Sequence, residues 1–525
     1  MTRAPQLPND SRAGGVVRRR WVFAATAFVL VLTACTSSEI VYRDRAPFNA
    51  PPDAASGLLG YYTVSTKQTT CGNCHAGHQQ DWSQTHHAKA FSDLVASGHA
   101  TSSCYACHTV SENGNGLAAP AGWSTKPDSA YQDVQCESCH GPGTKHVSLP
   151  DNKANWPLAR LTLTNASASC AACHTGVHEP FAEEWATSGH ANIVAPAVNN
   201  SNVVCKNCHD GKTVLTAWGV STNYSERDST GYSAVVCAVC HNPHGSSNSH
   251  QLRFPIDNPD PDQNLCMKCH LRRGEPVPGT STPHAPQGFV LLGTGGYRPA
   301  GVAVDTLIAL TTHASLANPK LCAGCHVNAF DVTDAATGGF VFHSTGHSFQ
   351  PIPCIDANGK PTGDTTCAFT STARTFAACT ASGCHGSQAV AASLLGQIRS
   401  DIAILADQIW IDSNHNGAID AAPTDAGYLA IIKRDHPAEL TSTTKVTPAQ
   451  GAWFNVDLFG EGRFANGDKS LGVHNPFLAR ALLAANITEL QSTYALPAPP
   501  VSVEAQVVKA LSDAKARSPG FVRAQ

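Results

Sequence analysis

Methionine is nearly absent from this chain. One of its two is Met1 and the other, Met267, sits between the cysteines of CMKCH. Any chemistry that needs thioether sulfur as a metal ligand therefore has almost nothing to draw on. Charge is sparse as well, with 14% of residues charged and a formal net of −4. No Lys/Arg stripe with interleaved aromatics occurs, which excludes a nucleic-acid partner. Aromatic residues make up 7%, and beyond residue 34 no apolar run of membrane-spanning length is expected. What the chain holds instead is 25 His, 21 Cys, 42 Gly and 33 Pro. That is a thin endowment for an ordinary aliphatic core, and a rich one for loops. A length of 525 residues has room for roughly two to four domains.

The N-terminus sets the compartment. Arg18, Arg19 and Arg20 precede the apolar stretch WVFAATAFVLVLTA at 21–34. As helix this stretch spans about 21 Å, short of the roughly 30 Å hydrocarbon core, so an export signal is favoured over a permanent span. It ends in LTAC, which looks like a lipoprotein lipobox, so cleavage would leave Cys35 as a lipidated N-terminus and a membrane anchor. Residues 1–34 then read as signal peptide and 35–70, with RAPFNAPPDAASG, as a linker.

The remaining cysteines fall into a pattern. Eight segments read C-x-x-C-H: Cys71/Cys74/His75, Cys104/Cys107/His108, Cys136/Cys139/His140, Cys170/Cys173/His174, Cys205/Cys208/His209, Cys237/Cys240/His241, Cys266/Cys269/His270 and Cys322/Cys325/His326. A ninth, Cys379/Cys384/His385, is the expanded CTASGCH. Disulfides would not require a histidine after every second cysteine. Zinc ribbons use paired C-x-x-C without that histidine. Covalent haem attachment needs this spacing: two thiols bond the porphyrin and the next residue offers its imidazole to iron from the same turn. Nine c-type haems are expected. Cys354 and Cys367 bracket a polar turn-rich loop and read as a disulfide in an oxidising compartment.

With methionine excluded, the second axial ligand falls to histidine, and nine proximal residues out of 25 leave 16. A repeat narrows the choice. CHAGHQQDWSQTHH at 74–87 resembles CHTGVHEPFAEEWATSGH at 173–190, and the motif starts 71, 104 and 136 recur as 170, 205 and 237. This is a duplicated three-haem block with a period near 99 residues. On that logic His86 (or His87) and His190 are equivalent distal candidates. His99, His146, His244, His284, His313, His347 and His474 complete a set of nine. His78, His178 and His343 are substitutes, and His250, His415 and His436 rank below them.

Seven attachment sites occupy 71–270 at 29–35-residue spacing, and two more lie in a loop-rich region at 271–390. The predicted fold class is mostly α and irregular loops, a haem-filled core with very little sheet. From 391 to 495 the chain is free of cysteine. Leu394, Leu395, Ile398, Ile402, Leu405 and Ile409 predict an amphipathic helix, and Asn475-Pro476 starts another. Between them DSNHNGAID at 412–420 aligns Asp412, Asn414, Asn416, Gly417 and Asp420 with half of an EF-hand loop. Its twelfth position is Pro423 rather than Glu, so calcium is a candidate cofactor and a polar turn the simpler reading. Residues 496–525 read as a tail.

The contexts W-x-x-S/T-x-H, CESCHGPG, CHNPHG and GVHNP resemble the multihaem cytochromes c of dissimilatory respiration and extracellular electron transfer, the decahaem and octahaem group, over residues 45–490. The resemblance implies a packed haem chain passing electrons between redox partner proteins at the periplasm or outer membrane. Three readings stand. A bis-histidine electron conduit fits the histidine surplus. A multihaem reductase of nitrogen or sulfur compounds would need an open iron, often marked by C-x-x-C-K, and no such motif occurs. A subunit of a polymeric cytochrome filament, a homo-polymer, would use surplus histidines between molecules. The residues favour the conduit over the enzyme.

Overall fold

Local structure follows the attachment motifs. C-x-x-C-H fits one helical turn, and Cys136–His140 and Cys322–His326 each form one. Gly- and Pro-rich connections keep such turns from propagating. A computed structural model describes residues 48–157, 159, 169–199, 203–220, 231–279, 282–300, 312–460 and 467–516. The signal-like segment and Cys35 lie outside them. Helices of seven residues or more among the described residues are α1 (Ala76–Trp82), α2 (Ala90–Ala96), α3 (Phe181–Thr187), α4 (Val203–His209), α5 (Gly211–Ala217), α6 (Gln388–Ile409), α7 (Tyr428–Asp435), α8 (Pro448–Phe459), α9 (Pro476–Tyr494) and α10 (Val501–Ala516). Named strands there form two antiparallel pairs, β1 (Tyr61–Thr63) with β2 (Gln68–Thr69) and β3 (Phe330–Thr333) with β4 (Phe340–Ser344). The fold is mostly α and irregular.

The largest apolar core lies at the C-terminal end. Leu395, Ile398, Ile402, Leu405 and Ile409 of α6 point inward at helical spacing and pack with α8, α9 and α10. Leu394, expected on the same stripe, lies exposed. Helix starts are capped: Ser387 accepts from Val390 N, Thr447 and Gln450 form a capping box, and Asn475 accepts from Leu478 N before Pro476 at the first turn. By length and composition α6 could cross a membrane, contrary to the expectation that no later segment would. Its buried stripe, shared with α8 to α10, marks it as a core helix here. Around residues 58–321 the buried apolar clusters are small, from Tyr61, Trp82 and Ala88 up to the five residues around Val214 and Val239. Aliphatic packing alone therefore does not build that region.

The duplicated block is visible as matched hydrogen bonds. Trp82 Nε1 donates to Val134 O at 2.9 Å, and Trp185 Nε1 donates to Val235 O at 3.0 Å. Val134 N donates to His87 O and Val235 N to His190 O, both at 3.1 Å. Cys354 and Cys367 are joined as a disulfide, with Cα atoms 6.1 Å apart. In the 412–420 loop Asp412 accepts from Asn416 N and Gly417 N, and Asp420 accepts from the Asn414 and Asn416 amides. Its carboxylates are thus engaged within the loop, and no metal-holding cluster occurs among the described residues.

Candidate functional site

The motif histidines are brought face to face with others far away in sequence. Ring-centroid separations are 6.3 Å for His75 and His146, 6.2 Å for His140 and His244, and 6.2 Å for His174 and His87. They are 6.2 Å for His209 and His284, 6.4 Å for His241 and His347, and 6.1 Å for His270 and His190. His326 and His474 are 6.0 Å apart, and His385 and His313 are 6.4 Å apart. A metal–imidazole bond of about 2.0–2.1 Å, with the ring centre roughly 1.2 Å beyond the nitrogen, puts two opposed ligands about 6.4 Å apart, centre to centre. Eight of nine motif histidines therefore stand at the separation an iron between them requires, and the residues present fit haem.

The other ring nitrogen is engaged at several of these rings and at His108. Nδ1–H donates to Ala90 O from His108 at 3.0 Å, to Pro157 O from His140 at 2.6 Å, and to His250 O from His241 at 2.7 Å. His326 donates to Phe349 O at 2.8 Å and His313 to Val473 O at 2.7 Å. Such bonds fix the tautomer that presents the Nε2 lone pair to a metal. His474 differs in donating to a carboxylate, Asp468 Oδ1, at 2.6 Å. Burial pushes His87, His190, His244 and His326 down to about 4, which keeps those rings neutral and able to ligate. Burial also opposes charging of His474, but the Asp468 carboxylate outweighs it and the pKa is raised.

The remaining histidines do not face a motif ring across an iron-sized gap. His86, the first of the HH pair, is 97% exposed beside Asp93, while His87 turns inward. His99 is exposed in the turn before Cys104. His78 lies 6.5 Å from His75, its neighbour one helical turn away, and only 4.4 Å from His244, too close for a metal between. His178 stacks on Phe340, His343 pairs with Asp331, and His436 lies against Tyr494. His250 offers its carbonyl to His241, and His415 is an exposed turn residue.

Thiols from different motifs also meet. The thiols of Cys71 and Cys136, Cys107 and Cys173, Cys170 and Cys237, Cys208 and Cys269, and Cys322 and Cys266 lie close enough to influence each other's ionisation. Cys139 and Cys170, Cys269 and Cys240, and Cys325 and Cys384 lie within electrostatic reach of each other. Numbered along the chain, the attachment sites thus run 1–3–4–6–7–8–9. Site 2 branches from site 4, and site 5 from site 7.

Of the attachment cysteines, Cys74, Cys139 and Cys384 are exposed and the other fifteen are partly buried. The turn Cys71–Asn73 sends the two thiols of site 1 to different surroundings, Cys71 onto Cys136 of site 3 and Cys74 to the surface. Cys74 still stands three residues after Cys71 and directly before His75, and its N–H donates to Cys71 O at 3.2 Å, so the one-turn geometry of attachment is kept.

Several supporting residues carry no sequence signal of their own. Glu137, inside CESCH, accepts from Leu59 N, Gly60 N and Gly143 N, each at 2.7 Å. Burial still pushes its carboxyl up to about 7. Glu184 accepts from Ser344, Thr345 and His347 N and so holds His347 in place. Gly245 has φ +118°, and a Cβ there would meet Asp81 O at 2.6 Å. Only glycine lets His244 approach α1 and reach His140.

The family described as cytochrome c554 and c-prime matches residues 70–141, and the doubled CXXCH motif matches 232–274. The chain is 27% identical over 207 residues to the multiheme cytochrome MtrA of Shewanella baltica, covering 36% of this chain and 58% of that one. It is 26% identical over 295 residues to the C-type polyheme cytochrome OmcB of Geobacter sulfurreducens, covering 49% of this chain and 35% of that one. The matched part is therefore under two thirds of either relative's length. No solved structure matches.

Proposed function

The chain is a multihaem c-type cytochrome, and on that premise we propose that it is an electron conduit of the cell envelope carrying nine covalently held haems. Each bound haem supplies a one-electron iron couple whose potential follows its axial ligands, burial and hydrogen bonds. The observation that carries the reading is the set of eight imidazole pairs at 6.0–6.4 Å. Paired neutral imidazoles favour low potentials and leave no open coordination position at those sites. Backbone carbonyls at Nδ1 hold His140, His241, His313 and His326 in the ligating tautomer. The meeting of thiols between motifs, which become thioethers on attachment, sets neighbouring sites edge to edge along one line, as a conduit needs.

Other multihaem cytochromes are the natural redox partners. The export signal and Cys35 support an exported lipoprotein facing the periplasm or outer surface. Cys35 lies outside the described residues, and fatty-acid labelling lost in Cys35→Ser would test the anchor. The conduit reading is tested by haem counting on purified protein with magnetic circular dichroism of the oxidised state. Nine haems, at least eight of them low-spin with bis-histidine signatures, are expected. A majority of high-spin haems would overturn it.

A further inference from the structure

Site 5 is a branch with positive charge set against it. It joins the line at site 7, where the thiols of Cys208 and Cys269 meet. Its facing histidine, His284, comes after site 7 in the chain, and so do Arg272 and Arg273 of CHLRRG. Arg272 N donates to Ala285 O at 3.0 Å and Gly288 N to His270 O at 2.8 Å. The segment leaving site 7 therefore runs beside the segment that holds His284. Arg273 and Ala285 both take left-handed backbone conformations, with φ +39° and +48°, which residues other than glycine adopt reluctantly. This turn carries the two arginines to site 5, although site 7 is closer in sequence.

The electrostatics agree with that placement. Burial, then Arg272, holds His209 below its ordinary pKa, and burial, then Arg273, His209 and Arg272, does the same for His284. His270, two residues before Arg272, responds to burial, Gln287, His474 and His209 instead. Neither guanidinium lies at ion-pair distance from a carboxylate among the described residues, whereas Arg298 pairs with Glu275 at 4.0 Å. Asp210, next to His209 in sequence, turns its carboxylate to Ser233 N and the Thr213 hydroxyl. Arginine keeps its charge at any working pH. On the line, site 8 carries the opposite sign, with the Asp468 side chain 2% exposed beside His474.

We propose that site 5 is an electron reservoir, a branch reduced ahead of the sites along the line because Arg272 and Arg273 offset the negative charge of a haem's propionates and of an added electron. This rests on the nine-haem conduit reading. An electron reaching site 7 passes to site 5, leaving site 7 ferric and site 5 ferrous; no bond forms or breaks and no proton moves. Since site 5 ends its branch, filling it leaves the path from site 6 to site 8 open.

The test is a spectroscopic redox titration of the full-length, haem-loaded protein. Subtracting the titration of Cys205→Ala/Cys208→Ala from that of wild type isolates the site 5 component. It should be more than half reduced at the potential where the other eight are half reduced. In Arg272→Gln/Arg273→Gln the ferrous-to-ferric ratio of that component, read at its wild-type midpoint, should fall about tenfold, a negative shift of about 59 mV for one electron. Arg434→Gln, which removes an arginine paired with Asp435, should leave the titration superimposable. A site 5 component at or below the midpoint of the others, a shift that is absent or positive, or an equal shift in Arg434→Gln would overturn the reservoir and leave the conduit reading intact. Eight haems in wild type, unchanged in Cys205→Ala/Cys208→Ala, would overturn both. Should the cysteine variant fail to fold, Arg273→Gln, a change at an exposed side chain, reads the same component: one component on the high-potential side should move negative, and an unmoved titration would overturn the proposal.

Discussion

Asp468 should hold the potential of site 8 down, and Asp468→Asn should release it. The carboxylate accepts a 2.6 Å hydrogen bond from His474 Nδ1, and its side chain is 2% exposed. It is a full negative charge within roughly 7 Å of the position an iron would take between His474 and His326; at an effective dielectric near 20, one unit charge there interacts by about 2.4 kcal/mol. The carboxylate favours the more positive ferric state, so it lowers the potential. For one electron, 59 mV corresponds to about 1.4 kcal/mol, so removing the charge should raise the potential of site 8 by about 100 mV. Asn keeps the size and an acceptor oxygen, so the ring need not turn. The assay is a spectroscopic redox titration of wild type and variant: one component of the nine should move positive and the rest should overlay. Asp331→Asn is the control, because its partner His343 faces no motif histidine. Superimposable titrations for Asp468→Asn and wild type, or a negative shift, would refute the reasoning.

Three further outcomes follow from the same geometry. His87→Ala should add one high-spin haem by stripping site 4, whereas His86→Ala should leave the spectrum unchanged; the same dichroism measurement reads both. Gly245→Ala forces a side chain into a left-handed conformation against Asp81 O, costing about 1–3 kcal/mol, and should lower the melting temperature and loosen His244 at site 3. Asp457, buried in the C-terminal core, has its pKa pushed up to about 8 by burial. Its folded pKa lies above the unfolded value, so the native state holds a proton that the unfolded chain has released, and stability falls as pH rises from about 4 to 8, by an amount on the order of a few kcal/mol. Asp457→Asn should flatten that slope in urea unfolding at pH 5 and 9; an unchanged slope would count against it.

The attachment motifs are legible in the sequence because their chemistry is local: two thiols and an imidazole must share one turn. How each thiol is covered is not local, which is why Cys74 lies at the surface while Cys71, three residues earlier, meets Cys136. The opposing imidazoles are not local either. His146 faces His75 and His474 faces His326, and nothing within either segment names its partner. The repeat narrowed the choice at 86–87 to an HH pair and could go no further. What separates the two is the bond from Val134 N to His87 O, matched by Val235 N to His190 O, and that is tertiary structure. His99 carried a plausible context yet stands exposed, because five residues before a motif is proximity along the chain and says nothing about the far side of a ring. The order of sites was beyond sequence reasoning altogether, since 1–3–4 and 2–4 arise from thiols meeting across folded loops. Helices were easier: the stripe from Leu395 to Ile409 is periodic, and only Leu394, one position off it, falls outside.

The cysteine-free C-terminal region is more than an appendage to the haem-bearing part. Among the described residues its core is where aliphatic packing is most extensive, and fully burying such side chains is worth roughly 1.5–3 kcal/mol each. That rigidity is delivered to the sites through one short segment. Asn475 caps α9 by accepting from Leu478 N, and its Nδ2 donates to Val290 O, so the start of α9 is pinned from both sides. His474, the residue just before this cap, faces His326, and Val473 O, one residue earlier, accepts from Nδ1 of His313, which faces His385. Two successive residues at one helix start thus order the facing imidazoles of sites 8 and 9. The last two sites, spread over long loops with little core of their own, take their geometry from the bundle. A chain truncated after Gly472 should therefore keep all nine motifs yet lose the opposed imidazole at site 8 and the anchor of the one at site 9.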